Sequence, residues 1–268
     1  MIKSTTKPGT LSTLDRGLLA LEAIAESQKG LAAKDLATTL GVNLGTSYQI
    51  LRTLTNRGYV RREPGGGHRL GLRLGLLLQH FDSQVVPDQV LVDLVDDIHD
   101  QLDETAYAAL FEEGDVVVAT IKESTQALRV ANLHVGYREN MHARASGKAL
   151  LAFLDEQRVR QIVEEKGMPA LTSNTFTSVE RLLTDLATVR DRGWAVDNEE
   201  FTAGVMCVAA PFFDASAKPI GALSVSGPSF RISSRLGYVG ATLSGLAEKA
   251  ARHYGYSGPY PPERKGPS

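Results

Sequence analysis

Apolar positions recur at helical spacing in three short segments near the start of the chain, and glycine follows each of them. The first segment begins at Leu14, the second spans about residues 33–40 and the third about residues 44–57. Gly41 stands where a left-handed residue is favoured after a helix, and Asn43 can cap the helix that follows. Four apolar residues share one face of the first helix: Leu14, Leu18, Leu21 and Ala25. The pattern predicts three short helices.

A hairpin pattern follows the third helix. It consists of a short strand at 59–62, a glycine-rich turn at 64–67 and a returning strand at 68–72. Residues 72–81 are apolar enough for a connecting helix, and Pro87 marks a boundary. Three helices followed by a two-stranded wing are typical of a winged helix-turn-helix. The pattern therefore divides the chain into a winged helix-turn-helix domain at 11–72, a linker helix at 73–86 and a second domain at 87–256.

The second domain mixes helical and strand-like patterns. An amphipathic helix is predicted at 88–102, and the segment 177–180 has the form of a capping box for a helix that ends near Arg192. Further helices are predicted at 146–154, 155–166 and 233–254. Strands are predicted at 107–112, 116–122, 127–134, 194–197, 206–213 and 220–226. Tight turns join several strands, so we predict an α+β fold with an antiparallel sheet and a disordered tail from Ser257.

Charge is divided unevenly along the chain. The 268 residues carry a net charge of −2, but residues 1–75 hold 11 Lys and Arg against 5 Asp and Glu, whereas the remainder holds 18 against 26. A basic N-terminal segment followed by an acidic remainder favours a polyanion as the partner of the N-terminal segment. No apolar stretch of about 18 residues predicts a membrane span. The N-terminus lacks the apolar core of a signal peptide, so we expect a cytoplasmic protein with no membrane partner.

The third helix and the hairpin carry the candidate contacts to double-stranded DNA. An exposed helix face in the major groove would read base edges, and glutamine can bond adenine through two hydrogen bonds. Basic residues on a wing would follow phosphates. The candidate DNA-binding residues are Asn43, Thr46, Tyr48, Gln49 and Arg52 on the helix, and Arg61, Arg62, His68 and Arg69 on the hairpin. The alternative is a protein-interaction adaptor that does not bind DNA.

The second domain offers a binding site more readily than a catalytic one. Ser224 and Ser226 are two residues apart, so they share a sheet face, and Asp197 and Cys207 lie on predicted strands. The helix that begins at Ser146 could offer backbone N–H groups to an anion. No metal-ligand spacing and no nucleophile motif is present, so we expect neither metal, cofactor nor enzymatic activity. The alternative is an enzyme with Cys207 as its nucleophile, for which the sequence offers no neighbouring histidine.

Several stretches resemble the IclR family of bacterial transcriptional regulators. In the first domain they are Leu40-Gly41-Val42, Gly58-Tyr59-Val60-Arg61-Arg62 and Arg69-Leu70-Gly71-Leu72. In the second they are Gly147-Lys148-Ala149-Leu150, Gly193-Trp194-Ala195-Val196-Asp197-Asn198 and Gly204-Val205-Met206-Cys207. The resemblance spans about residues 11–254. In the reading helix the chain departs from the family pattern, because Gln49 stands where the family often has arginine.

The resemblance implies a ligand-responsive DNA-binding regulator that acts as a homo-oligomer, either a dimer or a dimer of dimers. Its second domain would be a GAF-like effector domain, in which a small carboxylate or aromatic metabolite changes the affinity for operator DNA. The effector pocket implied by the family is lined by Leu128, Ala131, Ala145, Ser146, Asp197, Cys207, Ser224 and Ser226. In that arrangement the amides of Ala145 and Ser146 meet a carboxylate, while Asp197 and the two serines contribute side chains.

Overall fold

The computed structural model describes residues 11–27, 29–77, 88–112, 114–124 and 133–262. The chain divides into two compact units, Met1–Val86 and Pro87–Ser268. Of the predicted linker helix at 73–86, residues 73–77 are helical and 78–86 lie outside the described residues. The predicted strand at 127–134 also lies outside them, except for residues 133 and 134, which are not in a strand.

The first unit contains three helices and a two-stranded antiparallel hairpin. These elements are α1 (Ser12–Glu26), α2 (Ala33–Leu40), α3 (Leu44–Asn56), β1 (Val60–Arg62) and β2 (His68–Leu70). Gly41 ends α2 with φ of 64°, the left-handed conformation that its position predicts. Leu36, Ile50 and Leu51 are buried together between the helices. The winged helix-turn-helix prediction is confirmed at the level of these elements.

The leucine face of α1 is not its core face. Of the four predicted residues, Leu14 and Leu18 are 60% and 52% exposed and Ala25 is also exposed, while Leu21 is half-buried against the core. The buried residues of α1 are Ala20, Ala23 and Ile24. Small residues on the core face let α1 approach its neighbours closely, so the unit leaves the larger leucines at its surface. An exposed apolar stripe of this kind marks an interaction surface more often than a solvated face.

The second unit is built on a five-stranded antiparallel sheet in the order β4-β3-β7-β6-β5. The strands are β3 (Thr105–Glu112), β4 (Asp115–Lys122), β5 (Ala195–Asn198), β6 (Val205–Phe213) and β7 (Pro219–Pro228). The helices are α4 (Gln89–Leu102), α5 (Ala145–Leu151), α6 (Glu156–Lys166), α7 (Val179–Arg192), α8 (Ser229–Ser233) and α9 (Leu236–His253). The predicted α+β fold with an antiparallel sheet is confirmed.

Helices cover both faces of this sheet. On one face, α4 and α9 pack against Val208, Leu223 and Val225. On the other face, α5, α6 and α7 enclose a second cluster that contains Cys207 and Ala209. Both faces of β6 are therefore buried, which explains why its sequence is continuously apolar rather than alternating.

Three local predictions differ from the structure. The capping box at 177–180 does not form, because the N-cap of α7 is Ser178 rather than Thr177 and no side chain caps the helix; the Ser178 Oγ donates instead to Glu180 Oε2 at 2.9 Å. The last predicted helix is divided into α8 and α9. The predicted disordered tail is ordered through residue 262, because the Tyr260 hydroxyl donates to the carbonyl oxygen of Pro211 at 2.7 Å and its ring contacts Phe213.

Candidate functional site

Helix α3 presents a polar face from a firmly held position. The Oδ1 atom of Asn43 accepts a hydrogen bond from the Thr46 N–H at 2.8 Å and caps the helix. Ser47 is buried, and its Oγ donates to the carbonyl oxygen of Ala33 at 2.8 Å, which fixes α3 against α2. Tyr48, a predicted reader, is 58% exposed. The remaining predicted readers of this helix, Gln49 and Arg52, are also exposed, and Thr46 is half-buried.

The hairpin gathers positive charge at its exposed surface. Arg61 and Arg69 are paired directly across the two strands, and Arg62 is paired with His68. All three arginines are exposed, and Arg61 also lies 3.2 Å from Glu63. Like charges placed directly opposite one another repel, so this arrangement favours an anion such as a phosphate beside the hairpin.

His68 is placed differently from the other hairpin candidates. It is only 8% exposed, and its Nδ1 lies 3.3 Å from the carbonyl oxygen of Leu31. The backbones of these two residues also form an isolated β-bridge. The His68 ring therefore joins the hairpin to the segment before α2. Because the ring is buried, it is not accessible to a phosphate of DNA.

In the second unit, sheet register brings the predicted polar residues together. Asp197 on β5 pairs with Cys207 on β6, which pairs with Ser226 on β7. Ser224, two residues before Ser226, pairs with Tyr107 on β3. Paired and alternate residues share one face of a sheet. These five buried residues therefore form one polar patch, which we call the sheet patch.

Helix α5 covers the sheet patch and adds a further hydroxyl. Ser146 is fully buried, and it lies with Ser224 near the Tyr107 hydroxyl, whose pKa is raised by burial. Both serines lie near enough to this hydroxyl to lower its pKa, but among the described residues neither Oγ atom makes a hydrogen bond of good geometry. A buried polar atom without a partner is costly. The patch therefore has donors that a small polar ligand could satisfy.

Asp197 shapes the end of the sheet patch. Its Oδ1 accepts hydrogen bonds from the backbone N–H groups of Glu200 at 2.7 Å and Phe201 at 3.1 Å. Burial raises the pKa of Asp197 to about 7, and the neighbouring Glu200 carboxylate acts in the same direction. Near neutral pH this carboxyl group is therefore partly protonated, and its protonated form can donate a hydrogen bond as well as accept one.

Cys207 is a lining residue with the wrong environment for a nucleophile. Its Sγ lies 3.0 Å from Ser226 Oγ. Burial raises the pKa of Cys207 well above its usual value, and the nearby Asp197 raises it further. Reactive cysteines require the opposite shift, because the thiolate is the nucleophile.

A buried ion cluster supports the loop after β5. Lys148 is fully buried, and its Nζ lies 2.5 Å from Glu200 Oε1 and 3.0 Å from Asp185 Oδ2. Glu200 also donates its backbone N–H to Asp197, so the cluster holds the residues that position Asp197. The sequence does not predict the buried ion cluster, because nothing around Lys148 in the sequence indicates that this lysine is completely buried.

The other predicted pocket residues are placed unevenly. Ala145 is buried at the start of α5, whereas Leu128 and Ala131 lie outside the described residues.

Within the described ranges, no group of histidine, cysteine and acidic side chains could hold a metal ion. Across the same residues, no helix has the length and apolar character needed to cross a membrane. Tyr107 was missed because a single tyrosine in a strand is indistinguishable from a core residue.

Comparison with known proteins gives matches over both units. The family model described as IclR helix-turn-helix domain matches residues 13–64. The model described as bacterial transcriptional regulator IclR C-terminal matches residues 89–252. The acetate operon repressor of Salmonella typhimurium is 33% identical over 94% of this chain and 94% of its own length. The transcriptional repressor IclR of Escherichia coli is 32% identical over 92% and 91%, respectively.

Solved structures of similar fold match about nine-tenths of this chain. The Thermotoga maritima IclR crystal structure has a TM-score of 0.71 at 25% identity, and covers 92% of this chain and 100% of its own. An IclR homolog from Microbacterium hydrocarbonoxydans, solved in complex with 4-hydroxybenzoate, has a TM-score of 0.71 at 22% identity over 90% of this chain and 99% of its own. The two relatives matched by sequence are repressors and the matching family models are those of transcriptional regulators, so the hypothesis of an enzyme with Cys207 as nucleophile is wrong.

Proposed function

Because the chain belongs to the IclR family of bacterial transcriptional regulators and binds DNA through its helix-turn-helix domain, we propose that a small metabolite bound at the sheet patch changes its affinity for operator DNA. The observation that carries this proposal is the convergence of unpartnered hydroxyls at the patch. Ser146 and Ser224 each have a buried Oγ without a hydrogen-bond partner among the residues described. A carboxylate or aromatic ligand with a polar group would satisfy them, and one homolog of similar fold binds 4-hydroxybenzoate.

The DNA interface that we propose combines the exposed face of α3 with the hairpin. Tyr48, Gln49 and Arg52 would face base edges and phosphates in the major groove, near the capped start of α3 at Asn43 and Thr46. The hairpin would follow the phosphate backbone through its exposed arginines, Arg61, Arg62 and Arg69. His68 is left out of this interface because it is buried.

We further propose that a second copy of the chain covers the exposed leucines of α1. Leu14 and Leu18 of α1, and Leu11 directly before the helix, are between 52% and 76% exposed, and the two helical leucines are one turn apart. A two-fold symmetric dimer would place two reading helices on two half-sites of an operator. An effector that favours one arrangement of the two heads changes operator affinity by about 5- to 150-fold if the coupling is about 1–3 kcal/mol.

The DNA interface is tested by the salt dependence of binding to promoter fragments from the source genome. Each phosphate contact adds about 0.9 to the slope of log affinity against log salt concentration. The Arg61→Ala/Arg62→Ala protein is expected to lose about two such contacts per chain. The matched control is Arg158→Ala/Arg181→Ala, which removes two exposed arginines from the second unit. An unchanged slope in the hairpin variant would show that the interface is misplaced.

The effector site is tested by thermal shift with a panel of small carboxylates: acetate, pyruvate, benzoate and 4-hydroxybenzoate. We expect Ser224→Ala to abolish the shift that an active compound gives with the wild-type protein, while operator binding without ligand survives. The matched control is Ser244→Ala, because Ser244 also has a buried unpartnered Oγ but lies on α9, across the sheet. Normal ligand binding by the Ser224 variant would place the effector elsewhere.

A further inference from the structure

Arg144 is a buried cation at the edge of the sheet patch. It directly precedes α5 and is only 2% exposed. One terminal nitrogen, Nη1, donates to the carbonyl oxygens of Val116 at 3.2 Å and Glu139 at 3.4 Å. The guanidinium also lies over the ring of Tyr137, 5.0 Å from its centre. These contacts fix the orientation of the guanidinium plane.

The other edge of the same guanidinium has no partner. The Nε and Nη2 atoms are buried without a hydrogen bond, and no carboxylate forms an ion pair with Arg144 among the described residues. Burying an uncompensated charge is one of the more costly arrangements in a folded protein. A buried polar group without a partner in a folded protein requires an explanation, and a bound ligand of opposite charge is one.

The positive charge reaches the sheet patch. It acts on the ionisation of both Tyr107 and Cys207, and in each case it favours the ionised form. Two contacts place Arg144 at the border of the patch. It directly precedes the start of α5, the helix that carries Ser146. The Tyr137 ring that its guanidinium covers also contacts the ring of Phe201, and the Phe201 N–H donates to Asp197. The unpartnered hydroxyls of Ser146 and Ser224 belong to the same patch.

The unpaired edge has the geometry that a carboxylate requires. Nε and Nη2 present two parallel N–H donors, which match the two oxygens of a planar carboxylate. The same unit contains a completed example of this pairing. Arg231 donates from Nε and Nη2 to the two carboxylate oxygens of Glu104, at 2.7 Å and 2.8 Å.

We propose that Arg144 determines the specificity of the effector site by binding a carboxylate group of the ligand through Nε and Nη2. This inference rests on the proposed function, because it assumes that the effector occupies the sheet patch. It narrows the effector from a carboxylate or an aromatic compound to a compound that carries a carboxylate. The hydroxyls of Ser146 and Ser224 are then available to the remaining polar atoms of the ligand.

The test compares acids with their uncharged amides, which have nearly the same shape. Binding of benzoate and benzamide, of 4-hydroxybenzoate and 4-hydroxybenzamide, and of pyruvate and pyruvamide is measured by titration calorimetry on the full chain. The wild-type protein is expected to prefer an acid over its amide. Arg144→Gln is expected to weaken acid binding by about 10- to 100-fold and to leave amide binding unchanged. Arg144→Lys keeps the charge but not the parallel donors, so its loss is expected to be smaller.

The matched control is Arg138→Gln, which removes an exposed arginine from the same segment and is expected to bind like the wild type. Fluorescence of Trp194, the one tryptophan of the chain, reports whether each variant is folded. If Arg144→Gln does not fold, two other measurements test the role of Arg144. The wild-type protein must bind acids more tightly than their amides, and Arg144→Lys must bind acids more weakly than the wild type.

The outcomes separate this inference from the function on which it rests. If Ser224→Ala loses acid binding while Arg144→Gln keeps it, the role of Arg144 is wrong and the site stands. If neither substitution weakens acid binding, the effector does not bind at the sheet patch. Equal binding of acids and amides, or no binding of any acid at millimolar concentration, overturns the carboxylate assignment. Equally tight binding of inorganic phosphate that depends on Arg144 also overturns it.

Discussion

Asp197 makes the stability of the second unit depend on pH in a direction opposite to that of most carboxylates. Burial raises the pKa of Asp197 in the folded protein to about 7, against an ordinary value of 3.8. The folded state therefore holds this proton over a pH range in which the unfolded chain has released it. Stability is fully present below the unfolded pKa and is lost as pH rises through the folded pKa.

The magnitude follows from the difference between the two pKa values. Each pKa unit corresponds to about 1.4 kcal/mol, so the full effect is about 4 kcal/mol. Between about pH 5 and pH 8 the expected loss is about 3 kcal/mol, and the curve flattens above pH 7. Asp197→Asn removes the titration while keeping an oxygen that can accept the N–H groups of Glu200 and Phe201.

Urea unfolding at several pH values, followed by Trp194 fluorescence, measures this effect. Trp194 reports on the second unit alone, which avoids treating a two-unit chain as one transition. The quantity to compare is the free energy of unfolding of the wild-type protein minus that of Asp197→Asn, because other titrating groups, Glu200 among them, contribute to both curves. We expect this difference to fall by about 3 kcal/mol from about pH 5 to pH 8. Parallel curves for the two proteins would refute a raised pKa at Asp197.

Two substitutions and one cap deletion test other features of the structure. Lys148→Met leaves the buried Glu200 carboxylate without its cation and is expected to cost about 3–5 kcal/mol in urea unfolding; a Glu200→Gln background should recover part of this loss. Gly147→Ala places a Cβ 1.9 Å from the carbonyl oxygen of Met141, so we expect its melting temperature to lie well below that of the wild-type protein. The control is Gly245→Ala, because nothing lies within 4 Å of the Cβ at that position. Asn43→Ala removes the cap of α3 and is expected to destabilise the first unit by about 1 kcal/mol, as measured by helical circular dichroism during thermal unfolding.

Most elements of the fold could be predicted from periodicity because burial follows it. The three helices of the first unit and the antiparallel strands of the second are found close to their predicted positions. Predictions were wrong where the sequence pattern allows two outcomes. In α1, either the leucine stripe or the alanine stripe could face the core, and packing selected the smaller residues, Ala20 and Ala23. The tail after Ser257 has the proline content of a disordered segment, but Tyr260 anchors it through Pro211.

For the candidate site, the sequence predicts the polar residues of the sheet but not the buried cations beside them. Sequence spacing and family resemblance named Asp197, Cys207, Ser224 and Ser226, because residues at alternate positions of paired strands must share a face, and the structure brings all four together. The arginine that we assign to specificity was not named. A basic residue is expected at the surface, and nothing in the order of residues shows that Arg144 is buried.

Burial of charge is a property of three-dimensional packing, and the second unit handles its buried cations in two ways. Lys148 is compensated within the protein by Glu200 and Asp185, so its contribution is structural. Arg144 has only backbone carbonyls and a ring on one side, and no carboxylate of the described residues on the other. Arg144 directly precedes α5 and Lys148 lies within it, yet among the described residues only Lys148 has an anionic partner. A compensated charge fixes the loop that shapes the patch, whereas an uncompensated charge creates affinity for whichever anion enters it. In the function that we propose, the unmatched charge of Arg144 selects the ligand, and the matched charge of Lys148 maintains the shape of the site.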